Sequence, residues 1–248
     1  MRGAGTVLAG RPESDEHHRA QSASLGLTSG RRRNEARPSS KINIISYKIM
    51  IEFLRSIYYW LVTGLVSIVS LIFYPCQVYG RQNVPSKGGF ILASNHESNI
   101  DPMLLPVVCP RQMRFMAKDS LFKNPVLGAL IRTGGGFPIK RGRADRGALT
   151  EFLHQLELGY PVLIFPQGTR GGDKPQAGVG FLAVKSGKPV LPTYIEGTDQ
   201  VLPKGQACPQ RHAVKVIFGQ PLMFGPHEEP DIVAKKVMAA IFALKNPS

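Results

Sequence analysis

Acidic side chains are scarce in this chain: 17 Asp and Glu stand against 31 Lys and Arg, for a formal charge of +14 over 248 residues. Such an excess points to an anionic partner, whether nucleic acid, anionic lipid or a phosphorylated substrate. The cations are not interleaved with aromatics on one face, and no nucleic-acid-binding motif is present, which speaks against the first. Cysteine is rarer still. Cys76, Cys109 and Cys208 lie far apart with no zinc spacing, so neither a metal centre nor a disulfide framework is expected, and a reducing compartment is the simpler inference. There is no G-x-G-x-x-G, no Walker pattern and no internal repeat, which removes the usual nucleotide-binding scaffolds. No Ser or Cys sits in a nucleophile-elbow setting, so a covalent enzyme intermediate has no candidate.

Charge is also missing locally. From Ser56 to Gly80 there is no charged side chain, and the core of that run, Ile57 to Tyr74, approaches the ~20 apolar residues of a bilayer span. Trp60, Tyr58 and Tyr59 at one end and Tyr74 at the other suit interfacial belts. Gly64 and the serines leave room for a buried helix or a hairpin dipping into one leaflet. Residues 1–40 lack apolar periodicity, carry seven Arg against four acids, and read as a disordered basic arm. Met50 is an alternative start, which would place that arm upstream of the natural protein. The expected organisation is therefore this arm, a membrane-associating segment over 41–75, and one domain over 76–248.

Within 76–248 short apolar runs alternate with helical patterns. Strands are expected at Phe90–Ala93, Met113–Ala117, Gly136–Ile139, Pro161–Phe165, Val190–Ile195 and Ala213–Phe218. Helices are expected at Met103–Val108, about Pro125–Ile131, Ala144–Leu158, Val179–Ser186 and Asp231–Leu244. The alternation predicts an α/β fold: a mixed, mostly parallel central sheet covered by helices on both faces.

One stretch organises the rest, Ser94-Asn95-His96-Glu97-Ser98-Asn99-Ile100-Asp101-Pro102. It joins the first of those strands to the first helix, whose start is expected at Asp101 as the cap and Pro102 as the first helical residue. His96 then lies on the strand-to-helix turn, and the intervening four residues let the Asp101 carboxylate fold back onto one imidazole nitrogen. The other nitrogen is left to take a proton from a hydroxyl, as general-base catalysis requires. By itself such a pair is more often a solvated loop contact. Three more strands end in polar or glycine-rich turns: Gly136-Phe137-Pro138-Ile139-Lys140-Arg141, Phe165-Pro166-Gln167-Gly168-Thr169-Arg170 and Val190-Leu191-Pro192. In open α/β sheets the ligand crevice lies beyond the carboxyl ends of the strands, so these turns should converge on His96, and Arg141 and Arg170 offer planar forks matched to phosphate.

In this order the four blocks resemble those of the glycerolipid acyltransferases, of the 1-acyl-glycerol-3-phosphate acyltransferase type, over about Tyr79 to Phe218. The resemblance implies that His96 is the general base, oriented by Asp101, and that an acceptor hydroxyl attacks an acyl thioester directly, giving phosphatidic acid in phospholipid biosynthesis. It further implies that Arg141 and Arg170 hold the acceptor phosphate, with Gln167, Gly168, Thr169 and Lys118 contributing, and that Pro192 shapes the acyl-donor side. The partners would be membrane phospholipid, lysophosphatidic acid and an acyl donor (acyl-CoA or acyl-carrier protein as co-substrate), with no further cofactor, no metal and no nucleic acid. The location would be the cytoplasmic face of a membrane. Two departures bear on the acceptor: Gln167 stands where the family usually carries Glu, and Gln176-Ala177-Gly178 lacks a basic residue often found there. Another lysophospholipid, or glycerol 3-phosphate, is the alternative acceptor. A non-catalytic basic protein binding anionic lipid or nucleic acid is the alternative of another class.

Overall fold

The computed structural model describes residues 39–73, 75–139, 146–168, 176–206 and 208–245, with side chains of the first helix described over 46–64. By its contacts the chain divides into Met1–Asn43 and Ile44–Ser248, and the sheet with all that packs on it belongs to the second unit.

Seven strands form one sheet: β1 (Cys76–Tyr79), β2 (Ile91–Ser94), β3 (Arg114–Lys118), β4 (Gly136–Ile139), β5 (Val162–Ile164), β6 (Val190–Glu196) and β7 (Val214–Phe218). Their spatial order is β1-β7-β6-β2-β5-β3-β4. β6, β2, β5, β3 and β4 run parallel, while β7 is antiparallel to β6 and β1 runs with β7. The mixed, mostly parallel sheet is thus as expected. Because both faces are covered, the strands are apolar at nearly every position rather than alternating. Leu92, Leu163, Leu191 and Ile195 point to one face with Leu104, Leu105 and Val108 of α2 (Asp101–Val108). Ile91, Ala93, Val162, Ile164, Val190 and Tyr194 point to the other. There they meet α4 (Arg146–Glu157), α5 (Ala177–Ser186) and α7 (Pro230–Ala243) through Phe152, Leu182 and Val237. The remaining helices are α3 (Pro125–Thr133) and the four-residue α6 (Thr198–Val201).

The α5–α7 contact depends on one missing side chain. A Cβ on Gly180, in the middle of α5, would lie 1.8 Å from the carbonyl oxygen of Pro230. Gly180→Ala gains about 1 kcal/mol of helix propensity, but backbone cannot yield as a side chain can, and overpacking of this kind costs about 1–3 kcal/mol or more. A net fall in the denaturant midpoint of unfolding is expected, and an unchanged or higher midpoint would show that the two helices are not in such close contact.

The N-terminal helix α1 (Ser39–Phe73) is one continuous helix. Most of its described side chains are exposed, Lys48, Glu52, Arg55 and Trp60 among them. Ile49, Met50, Phe53, Leu54, Ile57, Tyr58 and Leu61 are exposed, a spacing that keeps them on one side of a helix. Tyr59 and Thr63, on the opposite side, are buried. The Tyr59 hydroxyl donates to the Pro106 carbonyl (3.3 Å) in α2 and accepts from the Met113 amide (3.1 Å) just before β3. Among the described residues no helix is long and apolar enough to cross a membrane.

Candidate active site

The first shared structure at the carboxyl end of the sheet is the loop 95–100 between β2 and α2. Asn95 begins it by acting as an extra rung of the sheet. Its amide oxygen accepts from Ile195 N and its amide nitrogen donates to Ile195 O, both at 2.8 Å, which extends the β2–β6 pairing past Ser94 and Thr193. His96 follows in a fixed position. Its ring stacks on Phe165 at the end of β5 (centroids 4.2 Å apart, planes 21° from parallel), and its backbone N–H donates to Gln167 Oε1 at 2.6 Å.

Asp101 is fully buried, and one of its oxygens, Oδ2, takes three bonds: His96 Nδ1 at 2.8 Å, Glu97 N at 2.7 Å and Ser98 N at 2.8 Å. The expected cap is therefore corrected. Ile100 is the N-cap of α2, Asp101 and Pro102 are its first helical residues, and the carboxylate turns back into the loop instead of onto the helix amides. The loop supplies two N–H donors and a ring nitrogen to a single oxygen, which outweighs what capping could offer. A carboxylate that accepts from backbone amides is an acceptor only, so Nδ1 must carry the ring proton and donate it. Nε2 is then the basic nitrogen. The His96 side chain is 11% accessible. The pair is shielded from bulk water but not sealed.

Glu97 was not singled out by the sequence. Its half-buried carboxyl accepts from Asn95 Nδ2 at 3.0 Å, and burial, with the charges of Asp199 and Asp101, pushes its pKa up to about 7. A carboxyl whose folded pKa exceeds its ordinary value of 4.5 holds a proton that the unfolded chain has released. Its contribution to stability is complete at low pH and is lost as pH rises through about 7. Glu97→Gln mimics the protonated form at every pH. Relative to the native chain, its melting temperature should therefore climb between pH 4.5 and 7. A constant offset would mean that Glu97 titrates normally.

The other expected site residues are placed differently. Gln167 joins the dyad directly. Gly168 closes the turn after β5 at φ 69°, its N–H donating to Phe165 O at 3.0 Å, a left-handed position that glycine takes without strain. Lys118 ends β3, exposed and paired with Ile139, at the same edge of the sheet as the dyad. Pro192 is buried inside β6 beside Ala93, beneath the loop that carries His96 rather than on its surface. Arg141, Thr169 and Arg170 lie outside the described residues. The sequence missed Phe165 and the bracing role of Asn95. The only signals for them are the aromatic before Pro166-Gln167-Gly168 and the amide before His96.

Gln167 uses its carbonyl oxygen toward His96, a bond that a Glu carboxylate could make equally well. Gln167→Glu is therefore expected to keep the chain folded and its turnover within about tenfold, whereas Gln167→Leu leaves a buried N–H without this acceptor, at about 1–3 kcal/mol of stability. Thermal melts and turnover of the two variants check this. A Leu variant as stable as the native chain would remove the role given to this bond.

Comparison with known proteins places these features in a family. The family model described as Acyltransferase matches residues 75–196. A 1-acyl-sn-glycerol-3-phosphate acyltransferase of Bacillus subtilis is 30% identical over 149 residues, 59% of this chain and 73% of that protein. The chloroplastic 1-acyl-sn-glycerol-3-phosphate acyltransferase BAT2 of Brassica napus is 29% identical over 179 residues, and the match spans 69% of this chain and only about half (52%) of that longer protein. Among solved structures, the 1-acyl-sn-glycerophosphate acyltransferase PlsC of Thermotoga maritima superposes with a TM-score of 0.63 at 27% identity, covering 77% of this chain and 80% of that one.

Proposed function

Because this chain belongs to the acyltransferase family, we propose that it moves an acyl chain from a thioester to the hydroxyl of 1-acyl-glycerol 3-phosphate, yielding phosphatidic acid. The single observation that carries this reading is the buried Asp101 oxygen 2.8 Å from His96 Nδ1, which leaves Nε2 as the base. The acceptor hydroxyl gives its proton to Nε2 as its oxygen attacks the thioester carbonyl carbon. The carbon–sulfur bond then breaks, and the imidazolium returns the proton to the leaving sulfur. The products are the ester and a thiol, with no bond to the protein at any stage. Asp101 stabilises the transient imidazolium, and Phe165 and Gln167 hold the ring in place. Arg141 and Arg170 are assigned to the acceptor phosphate, with Lys118 beside them. Gly168 and Thr169 shape the turn, and Pro192 supports the donor side from below. The donor is coenzyme A or carrier-protein thioester.

The exposed stripe of α1, from Ile49 to Leu61, supports a lipid-surface position for the enzyme. An amphipathic helix of this kind lies in the plane of the interface, with its apolar side in one leaflet. That is where a lipid acceptor and a lipid product are found.

The test is to supply purified protein with acyl thioester and a mixed pool of acceptors, and to identify the lipid formed by mass spectrometry. Phosphatidic acid as the main product is expected. Preference for an acceptor without phosphate would remove the role of Arg141 and Arg170, and release of no thiol with any acceptor would remove the activity.

A further inference from the structure

At the opposite end of the sheet from His96, the amino ends of β3 and β4 open into a cavity of about 810 Å³. Its charged lining comes from three directions: Glu52 and Arg55 on α1, Arg114 opening β3, and Arg132 in the last turn of α3, with Tyr160 and Glu151 on the side of α4 and β5. None of His96, Asp101 or Gln167 touches it.

The acids here already have partners. Glu52 is paired with Arg55 at 2.9 Å, and Glu151 accepts from the Gln155 amide at 2.7 Å. Arg114 is held in place with most of its donors unused. Its guanidinium lies 3.9 Å from the centroid of the Tyr160 ring, and Nε donates to Gln155 Oε1 at 3.1 Å. Its two terminal nitrogens have no hydrogen-bond partner among the described residues, and burial lowers its pKa from the ordinary guanidinium value. A Cβ on Gly135 would lie 2.3 Å from the Met113 carbonyl oxygen and 3.2 Å from Arg114 Nη1, so the glycine keeps this wall of the cavity open. The Arg132 guanidinium lies over Phe122 at 4.9 Å and likewise has no hydrogen-bond partner among the described residues. Arg114 is a braced, poorly hydrated fork with free N–H groups and Arg132 a second, exposed one on the same lining, and guanidinium forks favour a doubly bonded oxyanion over a point contact.

The surroundings identify the source of that anion. α1 and α3 both contribute arginines to the cavity, and both carry exposed apolar side chains, the α1 stripe on one and Val126, Leu127 and Leu130 on the other. We propose that this cavity is a second phosphate site, separate from the acyl-transfer centre, which holds the phosphate of an anionic membrane phospholipid while α1 and α3 rest on the lipid around it. The site does not depend on which acceptor the enzyme acylates.

The experiment is equilibrium binding of the full chain to phosphatidylcholine vesicles with and without phosphatidylglycerol, a phosphodiester lipid that has no place in the acylation proposed above. Native protein should bind the phosphatidylglycerol vesicles more tightly. Arg114→Gln and Arg132→Gln should each lose about tenfold of that preference, as loss of a charge-assisted hydrogen bond implies, with binding to pure phosphatidylcholine unchanged. Lys235→Gln, the same charge change on the exposed side of α7, should have no effect. Arg132 is exposed, so its variant keeps the test valid if thermal melts show that Arg114→Gln is misfolded. Equal losses for Lys235→Gln and Arg132→Gln would reduce the effect to diffuse charge and overturn the proposal, as would the absence of any preference for phosphatidylglycerol. A calorimetric titration with inorganic phosphate separates the sources. Binding as tight as to the vesicles, and lost in Arg132→Gln, would overturn the lipid assignment in favour of a soluble phosphate. None of these readouts involves thiol release, so they stand or fall apart from the proposed acylation.

Discussion

Replacing His96 by alanine is expected to lower the rate of thiol release by about 10²- to 10⁴-fold, the usual worth of a positioned general base. The loss should fall on kcat. His96 is assigned the proton of the acceptor hydroxyl and no part of the acceptor's phosphate, so ground-state binding has little reason to change. The fold should survive, because the bond that anchors this part of the loop comes from the backbone N–H of residue 96 to Gln167 and remains available to alanine. The ring does stack on Phe165, and its removal leaves a space at the end of β5, so a small drop in melting temperature belongs to the expectation. A variant that is folded and releases thiol at the native rate would end the base assignment.

The second large effect is at Asp101, and the bonding pattern makes the substitution unusually informative. All three hydrogen bonds converge on Oδ2, while Oδ1 is buried without a partner. In Asp101→Asn the amide oxygen can take the place of Oδ2. It can then keep Nδ1 of His96 and the amides of Glu97 and Ser98 satisfied, with the nitrogen directed to the empty side. Loop geometry and tautomer are retained, and what disappears is the negative charge beside the imidazolium. A fall in kcat is expected, of at most the about 10⁴-fold that Asp-to-Asn causes in a Ser-His-Asp triad, where the imidazole tautomer is lost along with the charge. Asp101→Ala is different in kind. It strands the same buried amides, at about 1–3 kcal/mol each, so it should lose stability as well as rate. Comparing the thermal melts and single-turnover rates of the two variants separates the charge from the scaffold. If Asn were as active as Asp, the carboxylate would be a structural clasp only.

Much of this was legible in the sequence because strand, turn and helix chemistry coincide there. The run Ile91 to Ser94, the polar turn and Asp101-Pro102 place an imidazole and a carboxylate together at one end of the sheet. The parallel strands were readable for the same reason: sheets buried on both faces leave continuous apolar runs. The errors have equally local causes. Asp101 looks like a cap, since capping is a short-range preference, and only the folded loop reveals two amides and a ring nitrogen competing for the same oxygen. Gln167 was suspected as a departure from pattern, but its bond to a residue 71 positions away has no local trace. β1 was not anticipated, because Cys76 to Tyr79 ends a charge-free run and merges with the helix before it. The apolar stripe of α1 begins at Ile49, upstream of that run, and continues past Glu52 and Arg55, which face the domain. A search for uncharged length finds a span there, and helical periodicity finds a one-sided surface.

The pairing of β1 with β7 has a consequence for how the protein is made. Cys76 to Tyr79 are made well before Val214 to Phe218, their only partner in the sheet among the described residues. At about 5–20 residues per second β1 would wait roughly seven to thirty seconds for its complement. Once Val190 to Glu196 has been made, β6 too has one side unpaired until β7 follows. Nascent chains stalled before Val214 should thus be the species most prone to aggregation and most in need of chaperones, and emergence of Val214 to Phe218 should close the sheet in one cooperative step.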